Sequence, residues 1–232
     1  MDIFGNALDD YFKKGKAAVL WLHNSYDEPE EMPVDIFFRT PEEMPDLELE
    51  ALKLCRGKVL DVGAGVGSHA LVLQQNNIDV TAIDISATAA KIMQLRGVKN
   101  AAALDIFFTT GKYDTLLFLM NGIGLTGTLA GFVAFLTQVK SLLNPNGQLI
   151  FDSSDISYLY EGRPQPTNTY FGEVSYCYEY NHQKGNWFDW LYLDQATLTH
   201  LAKQNGWKCE IMFDDGEDQY LARLTLANVI RS

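Results

Sequence analysis

Residues Val59 to Leu71 read Val-Leu-Asp-Val-Gly-Ala-Gly-Val-Gly-Ser-His-Ala-Leu, and this stretch constrains the rest of the chain more than any other. It begins as an apolar run of strand type, crosses glycines at 63, 65 and 67, and continues as an apolar-periodic helix. A strand that turns into a helix over glycines leaves backbone N–H groups bare, with no Cβ to hold a ligand away. Turns of this kind open nucleotide-binding α/β folds, and the same turn also occurs with no ligand at all. Two details narrow the choice. The third glycine comes one residue earlier than in the dinucleotide fingerprint G-x-G-x-x-G. Asp61 ends the strand two positions before Gly63, where a carboxylate would repel a pyrophosphate but suits a ligand carrying an ammonium and a sulfonium.

The residues on either side supply the context. Ile3, Phe4, Ala7, Leu8, Tyr11 and Phe12 share one face of a helix over residues 1–14. Ala17–Leu22 reads as extended, and an acidic, turn-rich segment follows. Phe37-Phe38-Arg39 then admits two readings: a packed surface strand with a solvated arginine, or a lid whose Arg39 pairs a carboxylate. Leu47–Cys55 is helix-like, Lys58–Val62 is the first core strand, and Ser68–Asn76 the first core helix. Ile78–Asp84 is nearly all apolar and reads as a strand buried on both faces. Asp84 ends it about twenty residues beyond the glycine turn, the place for an acid that accepts from ribose hydroxyls. Ile85 follows, and Ser86 is the N-cap of a helix that runs to Arg96.

Asn100–Leu104 is a short third strand with Asp105 directly after it. Too few residues separate Asp105 from Tyr113 for a crossover helix, so a loop or single turn is expected. Tyr113–Met120 is the central strand, with Asn121 at its carboxyl end, where doubly wound sheets place their ligands. Thr128–Leu143 is a helix, Asn144-Pro145-Asn146-Gly147 a turn, and Gln148–Asp152 the fifth strand.

The run from Val59 to Asp155 thus reads β-α-β-α-β-β-α-β, and its D-x-G-x-G-x-G pattern resembles motif I of the class I S-adenosylmethionine-dependent methyltransferases. The resemblance implies a doubly wound, mostly parallel, seven-stranded Rossmann-like sheet whose last strand is antiparallel. It implies S-adenosylmethionine as cofactor and S-adenosylhomocysteine as product. The cofactor would lie against Asp61, Gly63, Ala64, Gly65, Gly67, Ser68 and His69, with its ribose on Asp84 beside Ile85. Asp105 would contact the adenine amino group and Ile106 pack on the ring. Met120 and Asn121 would face the methyl-donating sulfur, and Arg39 would pair the methionine carboxylate. Two departures stand out: the third crossover helix is missing, and Asn121 is not followed by the N-P-P-Y of amine methylases.

Beyond the core, Tyr170–Tyr180 and Asn186–Tyr192 flank Gln183-Lys184-Gly185 and predict an aromatic hairpin. Its rings are either strand formers packing on one face or the wall of a substrate pocket. Asp194–Asn205 is a helix, and Trp207–Phe213 with Gln219–Ala227 a closing hairpin. The expected organisation is one methyltransferase domain, 1–232: an N-terminal lid (1–56), a cofactor core (57–155), an inserted hairpin (156–193) and a C-terminal helix and hairpin (194–232).

Eighteen Lys and Arg against 30 Asp and Glu give a net charge of −12, which argues against a nucleic-acid partner. The acceptor is therefore expected to be a small molecule. Cys55, Cys177 and Cys209 suggest neither a disulfide framework nor a metal site, and a reducing cytoplasm is the default. The uncharged run from Thr115 to Val139 is broken by Asn121 and several glycines, so no membrane span is expected. The sequence names no catalytic residue and no oligomeric state. A non-catalytic cofactor-binding protein and a nicotinamide-dependent oxidoreductase are the alternatives, the latter disfavoured by the glycine spacing and Asp61.

Overall fold

The computed structural model describes residues 1–227. In chain order the helices are α1 (Ile3–Lys14), α2 (Asp46–Leu54), α3 (Ser68–Gln75), α4 (Ala87–Leu95), α5 (Leu129–Gln138) and α6 (Gln195–Gln204). The strands are β1 (Leu20–Asn24), β2 (Glu30–Met32), β3 (Lys58–Val62), β4 (Asp79–Asp84), β5 (Ala101–Ala103) and β6 (Tyr113–Phe118). They continue as β7 (Leu143–Ser154), β8 (Glu173–Tyr180), β9 (Gln183–Lys184), β10 (Phe188–Leu191), β11 (Trp207–Asp214) and β12 (Gln219–Leu226).

Seven strands form the main sheet in the order β11-β12-β7-β6-β3-β4-β5. The pairs from β7 to β5 are parallel, and β12 is antiparallel to both its neighbours. The topology is that of a class I methyltransferase sheet. Because successive side chains on a strand point to opposite faces, the apolar runs feed two layers. Leu60, Leu116, Phe118, Leu149 and Phe151 pack on one side with α5 and α6. Val59, Leu117 and Ile150 pack on the other with α2, α3 and α4. Asp2, Ser86, Thr128 and Asp194 cap helices through their side chains, contacts worth about 1 kcal/mol each. Between Asp105 and Tyr113 stands one 3-10 turn, Ile106–Phe108, and no crossover helix.

Three details differ from the sequence reading. Asn144–Gly147 does not precede a strand; it lies within β7 as an irregularity, the register moving from Tyr113↔Leu143 to Thr115↔Gln148. Asn146 takes a φ of 63°, which an asparagine tolerates better than most residues. The hairpin reverses at Asn181-His182 and not at Gln183-Lys184-Gly185: both residues have positive φ, and Tyr180 pairs directly with Gln183. That is the two-residue loop whose twist suits a hairpin. Third, the hairpin is part of a second sheet, ordered β10-β8-β1-β2, in which Leu20 faces Tyr180 and Asn24 faces Tyr176. The extended N-terminal segment has its partner there.

Around this second sheet, Ile3, Ala7 and Leu8 of α1 share a buried cluster with Val34, Val66, Ala89, Ile92 and Tyr180. The N-terminal region is thereby fastened onto the segment after β3 and onto α4. Among the described residues, no helix is long and apolar enough to cross a membrane. The last five residues of the expected 194–232 segment lie outside the described residues.

Candidate cofactor and acceptor site

The loop after β3 sets the first wall. Gly63 and Gly67 have φ of 68° and 82°, where a side chain would be strained. A Cβ at Gly67 would come within 2.7 Å of Val98, whereas in front of Gly63 nothing lies within 4 Å. The close packing holds α3 against α4, and the open space lies before its N-terminus. Asp84, at the end of β4, accepts from the Gly65 backbone N–H at 2.9 Å and from that of Ser86 at 2.8 Å. Burial pushes its carboxyl up to about 6, against the pull of those two N–H groups. Ile85 beside it is 81% exposed.

Asp105 accepts from the Phe107 N–H at 2.9 Å and starts the 3-10 turn. Ile106, expected against the adenine ring, is instead a core residue at 4% exposure, packed among the strands. Of the two isoleucines that follow these acids, Ile85 is the exposed one.

On the α2–α3 side of the sheet, five charged residues gather. Glu48 accepts from Arg39 at 2.6 Å with one carboxylate oxygen and meets His69 Nε2 at 2.8 Å with the other. Arg39 is therefore neither solvated nor on a strand, and Phe37-Phe38 lies in a 3-10 helix, Asp35–Phe38. Burial works to raise Glu48, but His69 and Arg39 outweigh it and hold the carboxyl low. Burial works to lower His69, but the Glu48 hydrogen bond and the Asp61 charge hold it above its ordinary value. Asp61 and Asp152 are 1% and 4% exposed. Burial pushes them up to about 6 and about 7. Asp61 Oδ2, Asp152 Oδ1 and Arg39 Nε have no partner within the described residues. Sequence reasoning missed Glu48 and Asp152. The available signal was an acid on the buried face of α2, in step with Leu47, Ala51 and Leu52.

The end of β6 carries strain. Met120 and Asn121 have φ of 60° and 55°, conformations that cost a non-glycine residue about 1 kcal/mol or more. Three contacts hold them. Asp152 accepts from the Asn121 N–H at 2.9 Å, Ser154 Oγ donates to Asn121 Oδ1 at 3.1 Å, and Gly124 N–H donates to the Asn121 carbonyl at 2.9 Å.

A row of rings joins this loop to the glycine loop. A Cβ at Gly65 would meet Phe37 at 3.8 Å. Phe37 packs edge-on against Phe4 at 4.9 Å, and Phe4 stacks on Tyr178 at 5.2 Å. Tyr178 meets Phe188 at 5.4 Å, and Phe188 meets Trp190 at 6.1 Å. The Trp190 indole lies so close over Gly124 that a Cβ there would not fit. Behind the row, Tyr176 shares hydrogen bonds of 3.1 Å with the hydroxyls of both Tyr26 and Tyr192. Of the three tyrosines on one side of β8, Tyr180 turns away, donating to Asp10 at 2.9 Å in the α1 cluster.

The profile of a methyltransferase domain family matches residues 37–210, well over half of the chain. A crystal structure of an S-adenosylmethionine-dependent methyltransferase from Bacteroides fragilis, in complex with S-adenosyl-L-homocysteine, is 40% identical. The chain belongs to the class I S-adenosylmethionine-dependent methyltransferases. The match covers 97% of this methyltransferase and 95% of the Bacteroides chain, with a TM-score of 0.90. More distant structures share the fold. A DhpI complex with SAM and HEP is 22% identical over 77% of this chain and 84% of its own, with a TM-score of 0.59. The sugar N-methyltransferase KedS8 from Streptoalloteichus is 14% identical over 85% and 94%, with a TM-score of 0.56. No curated protein matches the chain.

The methyltransferase's own residues fit the cofactor. Open space lies before Gly63, the α3 N-terminus has no side-chain cap, and Ile85 offers an apolar face. The unpartnered oxygen of Asp61 lacks the cation that an ammonium would bring.

Proposed function

We propose that this enzyme methylates a small organic molecule enclosed between the end of β6 and the row of rings from Phe37 to Trp190. S-adenosylmethionine supplies an activated methyl on its sulfonium. In this reading Asp84 accepts from the ribose hydroxyls and Asp105 from the adenine amine, while Ile85 lies against the ring. Asp61 faces the ammonium, and Arg39 and His69 lie towards the carboxylate. Met120 and Asn121, held in their strained turn by Asp152 and Ser154, border the place where the methyl passes. Direct displacement needs in-line approach more than side-chain chemistry, so orientation and exclusion of water can supply most of the rate.

The observation that carries the reading is the ring row itself. It runs from Gly65 of the cofactor loop to Gly124 of the β6 loop. Aromatic walls with polar tips bind small organic molecules at low entropic cost. A net charge of −12 gives no platform for phosphates. The lid, core and hairpin act as one domain around this cleft, and three free thiols suit a reducing compartment.

The test is methyl transfer from labelled S-adenosylmethionine at low salt to duplex DNA, tRNA, basic peptides and a metabolite extract. Label in a small molecule is expected. Tight, salt-sensitive binding to tRNA or DNA, with label in it, would overturn the reading.

A further inference from the structure

Among the described residues, Glu48 is a carboxylate shared by the lid and the first turn of α3. One oxygen takes Arg39, the residue that ends the 3-10 helix Asp35–Phe38, and the other takes His69 from the first turn of α3. Such placement needs a reason, because a protonated imidazole at a helix N-terminus opposes the helix dipole. Without a carboxylate beside it, a buried imidazole there would lose its proton.

The position of this group follows from the sheet order. β3 lies between β4 and β6. Asp84 at the end of β4 marks the adenosine side, and Asp152, on β7, lies beyond β6 in the other direction. Asp152 and Asp61 are electrostatic neighbours of His69. A cofactor whose ribose is on Asp84 therefore extends its amino-acid end across β3 towards Arg39, His69 and Glu48. That end carries one carboxylate, and the cations at hand for it are Arg39 and His69.

We propose that Glu48 is a positioning residue that sets the charge of the receptor for the cofactor's carboxylate, acting through His69 and Arg39. The inference rests on the cofactor placement given under the proposed function. With His69 protonated, the trio Arg39, Glu48 and His69 carries a charge of +1; with His69 neutral it carries zero. The carboxylate is held best in the first state. Glu48→Gln preserves the shape: the amide oxygen accepts from Arg39, and the amide nitrogen donates to a neutral His69. The charge is then fixed at +1 by Arg39 alone. The groups facing His69 are Glu48 from α2, Asp61 from β3, Asp152 from β7 and Arg39 from the lid. Asp61 and Asp152 titrate as well, so the measurement must cancel them.

A ratio does so. Dissociation constants are measured by calorimetry for S-adenosylhomocysteine and for its decarboxylated analogue, which keeps the ammonium and loses only the carboxylate. Their ratio reports the carboxylate's advantage, and 5′-methylthioadenosine serves as a control for the adenosine side. Between about pH 6 and about pH 9, a window that spans a raised histidine, the wild-type advantage is expected to fall at least fivefold. In Glu48→Gln it should stay within twofold across the range, with methylthioadenosine affinity unchanged. His69→Gln, which needs no carboxylate partner to fold, should be equally flat.

A flat wild-type ratio, or a Glu48→Gln ratio that still falls fivefold, would overturn the proposal. So would equal losses of methylthioadenosine and S-adenosylhomocysteine in both variants, since that marks a structural role only. A wild-type protein that bound none of the three ligands would overturn the cofactor placement itself, and the proposal with it.

Discussion

The loop after β3 and the ring row above the end of β6 meet where Phe37 lies over Gly65, yet they are held by different means. The loop is fixed by backbone: positive φ at its glycines, and Asp84 clamping the N–H groups of Gly65 and Ser86. The row is made by side chains drawn from α1, the 3-10 helix, β8 and β10, which meet ring to ring. A cofactor common to a large family can be read by rigid backbone and a few carboxylates. An acceptor that changes from member to member is better met by side chains on a separate sheet, which can vary while the loop stays intact. The two walls should therefore respond differently to substitution.

Gly65→Leu should show the largest effect. It puts a side chain at φ 55° and towards Phe37, and S-adenosylhomocysteine affinity is expected to fall at least ~100-fold, about 2.7 kcal/mol. Calorimetry on folded protein checks it, and unchanged affinity would remove the glycine loop from the site. Asp84→Ala comes next. It removes the ribose acceptor and frees two backbone N–H groups, so a loss of about 2 kcal/mol in cofactor binding is expected. Wild-type affinity in Asp84→Ala would break the ribose assignment.

Trp190→Ala tests the other wall. Methyl transfer to the acceptor should drop at least ~10-fold, about 1.4 kcal/mol, while S-adenosylhomocysteine affinity stays within about twofold. A variant that lost cofactor affinity and kept transfer would erase the distinction between the walls.

The smallest effect is expected at Asp152, where the walls meet. Its carboxyl is raised to about 7 by burial. A raised acid stabilises the fold below its unfolded value, and this contribution is lost as pH rises through about 7. Asp152→Asn keeps an acceptor for the Asn121 N–H and removes the ionisation. The ligand-free variant should thus be more stable than wild type by about 1 kcal/mol at about pH 8, with a smaller gain at about pH 5. Thermal melts at both values check the sign; a gain only at the lower pH would contradict it.

What could be read from sequence follows the same division. The strand–glycine–helix turn, Asp61 and Asp84 are local features whose chemistry depends on spacing along the chain. The order of the core elements was legible for the same reason. The second sheet was not, because Leu20 pairs with Tyr180 across most of the chain, and no local pattern encodes such a partner. Ile106 and Ile85 show the limit within a motif. Both are apolar residues following an acid at a strand end, and only packing decides which one is enclosed. Arg39 stands alone in sequence because its partner, Glu48, sits on a later helix among Leu47, Ala51 and Leu52, where no local pattern marks it as an ion-pair partner.

The most direct test of the account is a crystal structure grown with S-adenosylhomocysteine. Asp84 is expected within about 2.7 Å of a ribose hydroxyl, with the cofactor sulfur facing Asn121 beneath the Trp190 end of the ring row. A ribose bound away from Asp84, or a sulfur turned away from Asn121 and the rings, would contradict it.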